Sequence, residues 1–167
     1  LFKRPGGARN ATEPDGVAVI NHDVSGYRRA AAAPVDNDGF GIVVEGIGNV
    51  VANNIVTNNN VGIQVQGGCN GNQGAANGLP ADPCFGRGNA ANGAATVENN
   101  SIAGNGIGLR AVGGALVTSL DASPNWWGSA TGPAAVGNPG GTGDSAVAVT
   151  DLSPWLCSGT DTAPATR

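Results

Sequence analysis

The chain has 167 residues, 29 of them glycine, with 12% charged and 4% aromatic residues and no methionine. A net charge of −4 excludes the clustered Lys and Arg of a nucleic-acid surface, and no run of about 18 apolar residues is present to cross a membrane as a helix. The 40% apolar content is placed periodically, which sets the chain apart from the disordered polymer that its glycine content suggests, and its length suits one domain.

Residues 1–16, LFKRPGGARNATEPDG, hold little apolar material and start without Met. They read as an N-terminal extension or as the continuation of coils further upstream in a longer parent chain. From Val17 a short pattern begins. VINHDVSGY at Val19–Tyr27 aligns with VANNIVTNNNVGI at Val51–Ile63, which aligns with VENNSIAGNGIGL at Val97–Leu109. GIVVEG at Gly41–Gly46 likewise matches GIQVQG at Gly62–Gly67.

The shared pattern is V-x-N-x-x-[VI], a polar turn, then G-[IL]-x-[VA]. Asn and Gly lower helix propensity, and no window shows the three- and four-residue apolar spacing of a helix. A unit this small cannot bury its apolar face alone, so its repetition predicts stacked coils of short parallel strands. In register, Val19, Val51 and Val97 form one inner aliphatic column, Val24, Val56 and Ile102 a second, and Ile42, Ile63 and Leu109 a third. Asn54 and Asn100 form a turn stack whose amides hydrogen-bond along the column, with His22 as the turn residue of the first coil.

Between the matching segments lie two loops. VDNDGFG at Val35–Gly41 opens like a calcium loop, with Asp36 and Asp38 as candidate ligands, although the downstream acidic residue is missing. A second insertion, residues 68–94, is rich in Gly, Asn and Pro, and Cys69 and Cys84 bracket most of it. A disulfide would tie its ends and imply an oxidising compartment; a metal site is the rival, with no His nearby and spacing unlike a zinc knuckle. Cys157 remains the odd thiol. Glycosylation sequons occur at Asn10-Ala11-Thr12 and Asn99-Asn100-Ser101.

The tail carries SPNWWGSATGP, Ser123–Pro133, and DLSPWL, Asp151–Leu156. With the coils, this pair resembles right-handed parallel β-helix proteins of the pectin-lyase-like superfamily, particularly secreted bacterial members, in which N-W-W-G leads through a G-P loop to S-P-W-L. The resemblance spans Val17 to Leu156. It implies an all-β, right-handed parallel β-helix of about four coils, residues 17–122, followed by a capping region and tail over residues 123–167. Trp126, Trp127 and Trp155 would close the last coil with large apolar areas; a sugar-stacking platform is the alternative use of such rings.

Many members of that superfamily cleave or epimerise acidic polysaccharides, so the aligned columns bear on activity. Hydrolysis asks for two carboxylates across one bond, and lyase chemistry for a base with a calcium ion or arginine. The columns Val43–Gln64–Arg110, Glu45–Gln66–Val112 and Ile20–Ala52–Glu98 each hold at most one charge, and Asp23 and Asp121 stand alone. Arg110 with Gln64 and Gln66 offers a modest polar patch for glycan contact, with an ordinary solvated face as the alternative. The expectation is a non-catalytic, secreted or cell-surface module serving as scaffold, adhesin or self-assembling filament subunit, stacked head to tail through its first coil. The alternatives are the C-terminal part of a polysaccharide lyase, hydrolase or epimerase, and a carbohydrate-binding module. No cofactor is required beyond the candidate calcium.

Overall fold

Short strands joined by asparagine and glycine corners build the molecule, seen in a computed structural model that describes residues 16–30, 39–44, 48–66, 95–112, 120–149 and 151–159. Strands β1 (Ala18–Ile20), β2 (Asp23–Ser25) and β3 (Phe40–Val44) form a first circuit. A second follows in β4 (Val50–Ala52), β5 (Ile55–Thr57) and β6 (Val61–Gln66), and a third in β7 (Thr96–Glu98), β8 (Ser101–Ala103) and β9 (Ile107–Val112). Two further strands, β10 (Pro133–Ala134) and β11 (Gly143–Val147), lie in the tail. The described residues are all-β and contain no helix.

The strands sort into three parallel sheets, ordered β1-β4-β7, β2-β5-β8 and β10-β11-β9-β6-β3. Each circuit therefore gives one strand to each sheet. The expected columns are in register: Val19 pairs with Val51 and Val51 with Val97, Val24 with Val56 and Val56 with Ile102, Ile42 with Ile63 and Ile63 with Leu109. Val51, Val56, Ile63, Val97, Ile102 and Leu109 are fully buried in one apolar cluster, whereas Val19 and Val24 of the first circuit are only partly covered. Burial of the aliphatic columns is the main stabilising force, and parallel pairing keeps like residues over like at each level.

The corners follow a two-residue rule. The first residue takes a positive φ, as at Asn21 (62°), Asn53 (56°) and Asn99 (53°) in one column and Gly26 (82°), Asn58 (58°) and Gly104 (75°) in another. Asn and Gly are the residues that tolerate this left-handed conformation. The second residue is most often an asparagine whose side chain turns inward. Asn54 Nδ2 donates to Asn100 Oδ1 at 2.9 Å, and Asn100 Nδ2 to Asn125 Oδ1 at 2.9 Å. A second ladder runs from Asn59 Nδ2 to Asn105 Oδ1 (3.0 Å) and from Asn105 Nδ2 to Asp144 Oδ2 (2.9 Å).

Each rung also serves the backbone. Asn54 Nδ2 donates to the Val19 carbonyl, and Asn100 Nδ2 to the Val51 carbonyl. In the reverse sense the Asn54 N–H donates to Asn100 Oδ1, so the corners need no water to satisfy their polar groups. Glycine is dictated at Gly62, where a Cβ would lie 2.7 Å from the Gly108 carbonyl oxygen of the next circuit.

A fourth level starts at Leu120. Asp121 bridges Thr96, Trp126 bridges Ser101, and in β11 Ala146 pairs with Leu109 and Val147 with Arg110. Asp151 then bridges Asp121, and the Leu156 N–H donates to the Asn125 carbonyl at 2.9 Å, so residues 151–156 lie over the fourth level. Both Ser-Pro peptides of the tail, Ser123–Pro124 and Ser153–Pro154, are cis.

Candidate functional site

Three places hold residues singled out by the sequence. The first is the leading edge formed by β1, β2 and β3, each of which ends its sheet among the described residues. The Val17 carbonyl accepts from the Val50 N–H and the Asn21 N–H donates to the Ala52 carbonyl. The alternation of a parallel ladder then turns the backbone groups of Ala18 and Ile20 away from β4. Ile20 is 39% and Tyr27 56% exposed. At the ladder positions this circuit carries Val17, His22 and Tyr27, whose backbone N–H groups donate to the Oδ1 atoms of Asn49, Asn54 and Asn59. His22 thus occupies the expected corner, exposed, with its backbone on Asn54.

The second place is the column Val43–Gln64–Arg110, continued by Val147. Arg110 donates from Nε and Nη2 to Gln64 Oε1 at 2.8 and 2.6 Å, and its guanidinium carbon lies 5.5 Å from the centre of the Phe40 ring. Gln64 is only 5% exposed. Arg110 and Gln64 of the expected polar patch thus meet each other, Gln64 Oε1 accepting the arginine fork across the circuits with the Phe40 ring beside the guanidinium. Gln66 lies in β6, level with Val112 of β9.

The third place is the tail. Trp127 is fully buried in the core cluster and its carbonyl accepts from the Asp144 N–H at 2.8 Å. Trp126 and Trp155 are partly buried, Trp155 packing against the aliphatic cluster and donating from Nε1 to the Ala130 carbonyl at 3.3 Å. Of the three rings, Trp127 closes the core; the other two keep part of their surface in solvent. Asp121 does not stand alone, as its bridge to Asp151 puts two exposed carboxylates in one column. Asp121 Oδ1 meanwhile accepts from the Ser123 N–H and hydroxyl, at 3.0 and 2.8 Å, an arrangement that fixes a turn.

Four of the expected site residues, Asp36, Asp38, Cys69 and Cys84, lie outside the described residues, as do Glu45, the Asn10 sequon and the insertion at 68–94. Cys157 is an exposed free thiol. Among the described residues no group of three or more His, Cys, Asp or Glu side chains is arranged to hold a metal ion. Sequence reasoning did not separate Asn59, Asn105, Asn125 and Asp144 from the surrounding polar turns, although each is a ladder rung. For Asn59 and Asn105 the signal was present in the Asn58-Asn59 and Gly104-Asn105 pairs ahead of β6 and β9. No protein-family description, curated protein or solved structure matches the chain.

Proposed function

We propose that the chain is a right-handed parallel β-helix of about four stacked coils, a non-catalytic structural module that works outside the cell as scaffold, adhesin or filament subunit. The observation that carries this reading is the leading edge: β1, β2 and β3, one from each parallel sheet, lie at one end of the described stack, with outward-facing backbone at Ala18 and Ile20. Such an edge is a template for strand addition by another chain. The pectin-lyase-like resemblance of the coils and of the N-W-W-G and S-P-W-L motifs supports the same architecture and a secreted or cell-surface location.

The partner of that edge is a further set of coils, supplied by a second copy stacked head to tail. Because Val17, His22 and Tyr27 stand where later circuits place asparagine, the contact rests on backbone pairing and apolar cover rather than on a continued amide ladder. A head-to-tail contact of this kind does not close on itself and grows a filament.

Sedimentation of the purified chain against Ala18→Pro tests the reading. Proline is tolerated on an edge strand whose N–H faces away from its neighbour, and it removes one donor from any incoming strand. The reading predicts concentration-dependent assembly that the variant abolishes while its thermal unfolding is unchanged. Equal behaviour of both as monomers contradicts it and returns attention to the alternatives, a carbohydrate-binding module or part of a polysaccharide-cleaving enzyme; glycan binding lost on Arg110→Ala would mark the first of these.

A further inference from the structure

We propose that Asn105–Gly106 is a modification site gated by the fold, where loss of the asparagine amide acts as a one-way switch that releases the last circuit. Asn followed by Gly is the dipeptide most prone to this chemistry, because the glycine nitrogen approaches the side chain without steric hindrance. The Gly106 nitrogen attacks Asn105 Cγ, the Cγ–Nδ2 bond breaks, and the amide nitrogen leaves as ammonia with the proton shed by Gly106. One water then opens the cyclic imide, giving aspartate or isoaspartate. Among the described residues Asn105 alone precedes a glycine.

The fold imposes this pair and also restrains it. A Cβ at Gly106 would lie 2.8 Å from the Asn60 carbonyl oxygen, so the position is held by glycine, while the ladder requires an amide at 105. In the folded chain every reacting group is occupied. Asn105 Nδ2 donates to the Val56 carbonyl (2.8 Å) and to Asp144 Oδ2 (2.9 Å), and Oδ1 accepts from the Asn59 N–H and Nδ2, both at 3.0 Å. The attacking nitrogen itself donates to the Asn59 carbonyl at 2.9 Å. Reaction requires these bonds to open together, so its rate follows the population of the locally opened state.

The product cannot return. An aspartate at 105 loses both Nδ2 donors and sets a carboxylate against Asp144, which already accepts from the Gly104 and Asn105 N–H groups at 2.9 and 2.8 Å. Asp144 stands in β11, which holds β9 through two register pairs and binds the Trp127 carbonyl through its own N–H. Like-charge repulsion at that rung detaches β11 and uncovers Leu109 and Trp127.

Incubation of the chain folded and in concentrated urea, followed by peptide mass mapping, reads the gain of one mass unit at residue 105. The expected result is modification at least about tenfold slower in the folded chain, fastest among the folded forms in Asp144→Ala, and intermediate in Asp144→Asn, whose one oxygen replaces only one of the two acceptors. Equal rates folded and unfolded overturn the gating. Hydrogen exchange of Asn105→Asp reads the switch separately: selective loss of protection over residues 143–147 supports it, and full retention there overturns it.

Discussion

Asn54 and Asn100, 46 residues apart in sequence, meet through a 2.9 Å amide hydrogen bond inside the molecule, with 1% and 0% of their surfaces exposed. Each amide donates to a carbonyl of the preceding circuit and accepts an N–H from it, so the corner that would otherwise leave polar groups buried and unmet becomes part of the stack. Replacing Asn100 by Ala strands the Asn54 N–H and takes away the second donor of the Val51 carbonyl. At about 1–3 kcal/mol for the unmet buried N–H and about 1–2 kcal/mol for the other amide bonds lost, the expected loss is roughly 2–5 kcal/mol. Denaturant unfolding of Asn100→Ala measures it.

The neighbouring corner residue separates backbone conformation from side-chain stacking. Asn53 is exposed and holds φ at 56°. Asn53→Gly should leave stability within about 0.5 kcal/mol of the native chain, whereas Asn53→Val should cost about 1–2 kcal/mol or more because a β-branched residue resists a left-handed φ. Thermal melts of the two variants, read together, check the assignment of this position to conformation alone.

Trp127 and its tail neighbours should differ sharply. Trp127 is fully buried, so Trp127→Ala is expected to cost about 3–5 kcal/mol, while the same change at the partly buried Trp126 should cost less. Calorimetry of both variants distinguishes a closing role for Trp127 from an equal sharing of the cap by all three rings.

Gly62 reports on the spacing between circuits. Its absent Cβ would fall 2.7 Å from the Gly108 carbonyl oxygen, so Gly62→Ala must push β6 and β9 apart. A loss of about 1–3 kcal/mol is expected, typical of overpacking, with faster amide exchange in β6 and β9. An unchanged melting temperature would show that the circuits yield more easily than this geometry implies.

The aliphatic columns were legible in the sequence because parallel stacking places like residues at one register, and Val19, Val51 and Val97 repeat with the same flanking asparagines. The Asn54–Asn100 rung followed from the same alignment. The second ladder was hidden for two physical reasons. Asn58-Asn59-Asn60 reads as a uniform polar turn, although one of the three takes a positive φ and another turns inward. Asp144 closes the ladder from beyond the excursion at residues 128–142, where no repeat spacing survives. Asn125 was visible only as part of N-W-W-G, with no sign that it ends the Asn54–Asn100 ladder. The burial of Gln64 was not legible either, because alternation along β6 placed it on an outer face and could not register the Arg110 fork above it.

Electron microscopy of the purified chain tests the central claim, that this is a stack of coils whose leading edge recruits another copy. The account predicts uniform unbranched filaments with an axial repeat on the order of 19 Å plus the cap, from four levels at about 4.8 Å each. Dispersed single particles at every concentration tried would contradict it.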